Sequence, residues 1–151
     1  MPSQATNYFY TLAAMGVIAL VVTSTFNINV YGVKSAAERK QLLKVLDAVA
    51  AECTELTVLT EKTGASAEIT LKLPTRIGDK LYWVRLRTSE SGSWIEGGFG
   101  EPWSGIPELR VYLPWNTTSS GIYQGEYGTP SVNCTMSGGT PTLTLKRLED
   151  N

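Results

Sequence analysis

The chain has 151 residues, and 13 Lys and Arg stand against 14 Asp and Glu, so a net charge of −1 argues against a nucleic-acid partner, which would want a basic face. It has no histidine, which removes the usual general base, the usual partner of a nucleophilic Ser or Cys, and the commonest metal ligand. No catalytic motif stands out, so no enzyme activity, cofactor or metal is expected.

Residues 1–33 contain no Asp, Glu, Lys or Arg, whereas the chain is charged throughout from Lys34 onward. Within them, residues 8–26 (YFYTLAAMGVIALVVTSTF) are almost all apolar or small. At ~1.5 Å of rise per residue such a run crosses a hydrocarbon layer of ~30 Å. The segment 1–33 therefore predicts a transmembrane or filament-core helix. Leu12, Val17, Ile18, Leu20 and Val21 supply the apolar packing between such helices, and Ala13, Ala14 and Gly16 permit close approach. A cleaved signal would carry positive charge before its apolar core and a small-residue cleavage site after it. The residues before Tyr8 include no Lys or Arg, and Thr23-Ser24-Thr25 is the nearest approach to such a site. A retained helix is expected.

Residues 34–64 predict an amphipathic helix. Ser35 and Glu38 have the spacing of a capping box. Leu42, Leu46, Val49, Cys53 and Leu56 then form one apolar stripe, and Thr63-Gly64 supplies the stop. Between the two helical stretches, residues 27–33 (NINVYGV) are poor helix formers. With the capping box they predict two helices joined by a hinge.

From residue 65 the hydrophobic period changes to two. Strands are expected at 67–73, 81–88, 94–99, 109–113, 122–127, 132–136 and 142–148, with 94–99 weakened by Gly97-Gly98. Turn signals at Gly78-Asp79, 128–130 and 138–141 separate them. The fold class is α+β: a long hydrophobic helix, then an amphipathic helix packed on an antiparallel β-sandwich or curved sheet of about seven short strands. Residues 65–151 make up a β-rich head domain.

Cys53 lies in the helical stripe and Cys134 in a late strand, which is how the two thiols can meet. The options are a disulfide, worth roughly 4 kcal/mol in the chain-entropy picture, or two buried free thiols. Asn116-Thr117-Thr118 and Asn133-Cys134-Thr135 are N-glycosylation sequons. Asn116, in a turn-rich stretch, is the more accessible. These features place the head outside the cell. Lys34, Arg39, Lys40 and Lys44, just after the apolar run, argue for the cytoplasm instead. The exterior reading draws on more features and is preferred.

The glycine-rich stretch 97–100 lacks the Lys-Ser/Thr of a phosphate loop and reads as a strand end. Glu96, Glu101 and Glu108 read as surface glutamates rather than a catalytic pair. Trp83, Trp94, Trp103 and Trp115 read mainly as packing residues. Trp103 and Trp115 lie in loops beside prolines and are the candidate surface contacts. Through them the chain could act as a membrane-tethered carbohydrate-binding module.

An uncharged N-terminal helix, an amphipathic continuation and a compact β-rich domain with sequons resemble the plan of archaeal type IV pilin-like proteins and of membrane-anchored archaellum stator subunits. Residues 42–52, followed by Leu73-Pro74, Ile77-Gly78 and Tyr82, are similar to a helix and strand–turn–strand of pilin-like proteins. The basic residue and glycine before the helix of pilin precursors are absent, as is the glutamate near the start of bacterial mature pilins. The numbering then begins on a mature chain, or the protein is an uncleaved anchor of the stator kind. The resemblance implies a non-enzymatic surface protein. It would associate with copies of itself in a filament, or with envelope proteins and membrane lipid, and would carry N-glycans.

Overall fold

A computed structural model describes residues 4–102, 107–114 and 116–148. It divides into two compact units, residues 1–37 and 38–151.

The helix α1 runs unbroken from Gln4–Thr63, so the expected hinge at 27–33 is absent. A break would leave orphan carbonyls on one side and orphan amides on the other. The weak helix formers at 27–33 cost only tenths of a kcal/mol each, about 0.7 or less, with Gly32 near 1. Strong helix formers on both sides carry the helix through. Ser35 lies in the helix interior rather than at a cap. Several hydroxyls in the apolar stretch bond back to the preceding turn: Thr11 to the Asn7 carbonyl at 2.9 Å, and Thr23, Ser24 and Thr25 to Ala19, Leu20 and Val21 at 2.8 Å. Satisfied within their own helix, these hydroxyls add little to the cost of leaving water.

Among the described residues seven strands form one sheet: β1 (Ala67–Thr70), β2 (Tyr82–Ser89), β3 (Gly92–Phe99), β4 (Leu109–Tyr112), β5 (Thr118–Gln124), β6 (Thr129–Ser137) and β7 (Thr140–Leu148). Their spatial order is β1-β6-β7-β5-β2-β3-β4. The α+β class is as expected, but the sheet is mixed, because β5 and β7 pair in parallel. The hairpin formed by β6 and β7 folds β7 in between β5 and β6. A strand inserted between two antiparallel strands must run parallel to one of them. The edge strands β1 and β4 have four residues each, a length that limits open-edge pairing.

The stripe Leu42, Leu46, Val49, Cys53 and Leu56 is buried, joined by Val45. It packs in one core with Tyr82, Val84 and Leu86 of β2, Ile95 of β3, Val132 and Cys134 of β6, and Leu143 and Leu145 of β7. Each such side chain contributes about 1.5–3 kcal/mol on leaving water, which fixes this part of the helix to the sheet. Gly97 does not interrupt β3; it makes room for the helix, since a Cβ there would meet Leu46 and the Trp83 carbonyl oxygen. Gly121, at φ +115, lets β5 approach β7, where a Cβ would fall 2.1 Å from the Leu145 carbonyl oxygen.

Each strand differs from expectation at one end or both, most at the start of β5. Ladder pairing of β1 stops at Thr70, although the Leu71 amide still donates to the Pro130 carbonyl at 2.9 Å. β5 begins at Thr118, four residues early, in what reads as a turn. Buried hydroxyls explain this: Ser119 Oγ donates to the Arg87 carbonyl at 2.8 Å, Ser93 Oγ to the Thr117 carbonyl, and Thr88 Oγ1 meets Ser93 Oγ at 2.7 Å.

Candidate functional site

The first surface is the apolar length of α1. Every described side chain from Asn7 to Ala37 is exposed. Leu12, Val17, Ile18, Leu20 and Val21 are 59–75% exposed, and a Cβ added to Gly16 would meet nothing within 4 Å. Ala13, Gly16, Val17 and Leu20 fall on one face by helical spacing, and Ala14, Ile18 and Val21 on the next. A stretch this long and apolar could anchor in a membrane. Sequence reasoning missed the rings at its two ends. Tyr8 and Tyr10 open the run and Tyr31 follows it, all well exposed. From Tyr10 to Tyr31 the helix rises ~32 Å, close to the thickness of a bilayer's hydrocarbon core. Tyrosine at both ends is the pattern of an interfacial belt. The spacing is legible in the sequence once the helix is taken as continuous.

The second candidate is the thiol pair. Cys53 and Cys134 are both buried free thiols in this structure. Burial, then the nearby Cys134 and Glu52, pushes the Cys53 thiol up to about 12. The helical stripe and the late strand thus bring the two sulfurs into electrostatic range inside the core. Such a thiol is a poor nucleophile.

The sequons are placed differently. Asn116 is exposed in a turn. Asn133 lies within β6, hydrogen-bonded between β1 and β7, opposite Glu68 and Thr144, and its Oδ1 is buried without a partner. Trp103 and Trp115 lie outside the described residues.

Of the three glutamates considered above, Glu96 and Glu108 are ion-paired. Glu96 is buried and accepts from Arg85 Nε at 2.7 Å and from Trp94 Nε1 at 3.0 Å. Burial pushes its carboxyl up, but these hydrogen bonds and the charges of Arg85 and Arg87 outweigh it, leaving the group below the usual range. It is therefore ionised, not a general acid. Glu108 lies 3.5 Å from Arg39, and Glu101 is exposed. Glu38 does not cap a helix; it is buried and pairs with Lys80 at 2.7 Å. Among the described residues no three His, Cys, Asp or Glu side chains cluster as metal ligands would.

No protein family, curated protein or solved structure matches this chain. The helix is long and apolar enough to cross a membrane.

Proposed function

We propose that the protein is a non-enzymatic structural subunit of a cell-surface assembly, held in a membrane or filament core by residues 8–33 of α1. The observation that carries this reading is the uninterrupted exposed apolar surface of that stretch, bracketed by tyrosines. Association there rests on dispersion and close packing, with Ala13, Ala14 and Gly16 as the points of nearest approach. Asn27 and Asn29 favour a bundle of helices over an isolated anchor, because their amides can bond across to a neighbouring helix. Leu43, Val58 and Leu59, 39–48% exposed on α1 beyond the span, offer further lateral contacts.

The β-rich unit is the head that faces outward, and the exposed Asn116 is the position suited to a glycan. The resemblance to archaeal type IV pilin-like proteins makes a helical filament the leading form of the assembly. A single uncleaved anchor of the stator kind is the other. Electron microscopy of the native protein distinguishes them: helical filaments support the pilin-like form, and isolated membrane-bound particles support the anchor.

A further inference from the structure

The face of the sheet turned away from the helix carries an organised array of arginines and aromatic rings that the assembly reading does not use. On β2, Tyr82, Val84 and Leu86 enter the helix-facing core, so Trp83, Arg85 and Arg87 occupy the other face. The register sets their neighbours. Arg85, Glu96 and Arg110 form one row across β2, β3 and β4, and Arg87, Trp94 and Tyr112 form the next. Three guanidiniums thus share one carboxylate. Arg85 is only 20% exposed and takes the short contacts to Glu96, at 2.7 Å from Nε and 2.5 Å from Nη2; its guanidinium also lies 5.1 Å from the Trp83 ring. The other Glu96 oxygen accepts from Trp94.

Arg87 and Arg110 are left with long contacts to Glu96, 3.6 and 3.5 Å, and are 55% and 45% exposed. Each guanidinium has five donors in a fixed fork, so most of theirs face solvent. The face carries two positive charges in excess of its carboxylate, in a chain whose net charge is −1. Aromatic surface lies between and beside these charges: Arg110 sits 4.8 Å from the Trp94 ring, and Tyr112 is 69% exposed.

We propose that this face binds an anionic polysaccharide. The carboxylates of its uronic-acid units would meet Arg87 and Arg110, and the apolar face of a sugar ring would stack on Tyr112. Arg87 Nε and Arg110 Nη2 both lie within 3.6 Å of the Glu96 carboxylate, so the two guanidiniums are neighbours and present one paired cationic site to the carboxylates of the chain. Carboxylates match the planar guanidinium fork. Arg85 is a positioning residue: held by Glu96 and Trp83, it takes the short contacts to the carboxylate and leaves the two outer arginines with long ones. Single-stranded DNA, also a polyanion with rings that can stack, is the alternative that a comparison probe tests.

The test is binding of the full-length protein, in detergent micelles, to oligogalacturonate, with neutral oligogalactan and single-stranded DNA as comparison probes. The expected result is oligogalacturonate binding that weakens with salt, no binding of the neutral oligomer, and weaker binding of DNA. Arg87→Gln with Arg110→Gln should lower oligogalacturonate affinity at least tenfold. Tyr112→Ala should lower it severalfold where Tyr112→Phe does not. Both arginines are half-exposed, and an unchanged circular dichroism spectrum and melting temperature confirm that the variant is folded. Should the double variant be unfolded, Arg87→Gln alone provides the same comparison. Absence of binding, equal binding of the neutral oligomer, tighter binding of DNA, or undiminished binding by a folded arginine variant would each overturn the proposal.

Discussion

Leu46 fills the space that a side chain at position 97 would need: a Cβ on Gly97 would lie 2.9 Å from Leu46 Cδ2 and 3.0 Å from the Trp83 carbonyl oxygen. The helix is seated on β3 by that contact, with Leu46 fully buried. Gly97→Val should therefore destabilise the β-rich unit by about 1–3 kcal/mol through overpacking. Leu46→Ala in the same chain should cost less than it does alone, because the cavity accepts the added methyls. Denaturant unfolding of the four chains of this double-mutant cycle checks both statements.

The buried thiol sets a pH limit. Cys53 is held at about 12 against an ordinary value of 9.0, and burial also raises the Tyr82 and Tyr123 hydroxyls. In each case the unfolded chain releases its proton at lower pH than the folded one. The folded state thus binds more protons above pH 9, and stability falls as pH rises from there toward 12. Urea midpoints measured from pH 7 to 11 should be level to about pH 8.5 and then decline. Cys53→Ala should flatten the first part of the decline. Iodoacetamide at pH 8 should leave Cys53 unmodified in the folded protein and label it after unfolding.

The Glu38–Lys80 pair makes a third case. Glu38 is 4% exposed, its Oε1 has no hydrogen-bond partner, and Lys80 is half-exposed. Removing the lysine leaves a buried carboxylate whose two oxygens are both unpaired. Lys80→Ala should cost about 1–2 kcal/mol, less than the 3–5 typical of a fully buried pair because water reaches one partner. Glu38→Gln combined with Lys80→Ala should recover part of that loss. Thermal melts of the three variants give the comparison.

These two residues also show where the sequence could be read and where it could not. The stripe from Leu42 to Leu56 declares its buried face through its spacing, and the structure buries every member of it. The position of Glu38 three residues after Ser35 has two physical explanations, a cap or a tertiary ion pair. Local sequence favours the cap; Lys80, more than forty residues on, decides otherwise. The start of β5 is hidden for a similar reason. Its inward side chains are hydroxyls, and only their partners Thr88, Ser93 and the Arg87 carbonyl reveal that they are core. The parallel pairing of β5 with β7 depends on where a hairpin inserts, and strand periodicity does not record that. The arginine–tryptophan array is half legible: alternation puts Arg85 and Arg87 on one face, but Glu96 and Arg110 join them only through the register.

Helix continuity predicts the behaviour of Ser35. As an interior residue it provides no cap, so Ser35→Ala should be neutral or stabilising by up to about 0.5 kcal/mol, where loss of a cap would cost about 1. Amide hydrogen exchange across residues 29–39 checks this. Protection should be unbroken through the stretch and no weaker in the variant.

If the exposed apolar length of α1 works out of water, a charge at its middle must displace it, and Val17→Arg supplies that charge. Val17 is 61% exposed within the span, so the substitution introduces a charge there without touching the core of the β-rich unit. Cells expressing each chain would be fractionated into a soluble pool and a washed membrane-and-filament pool. Wild-type protein should be in the washed pool and the folded Val17→Arg chain in the soluble one. Equal recovery of both chains in the washed pool, or of wild-type protein as a soluble monomer, would contradict that expectation.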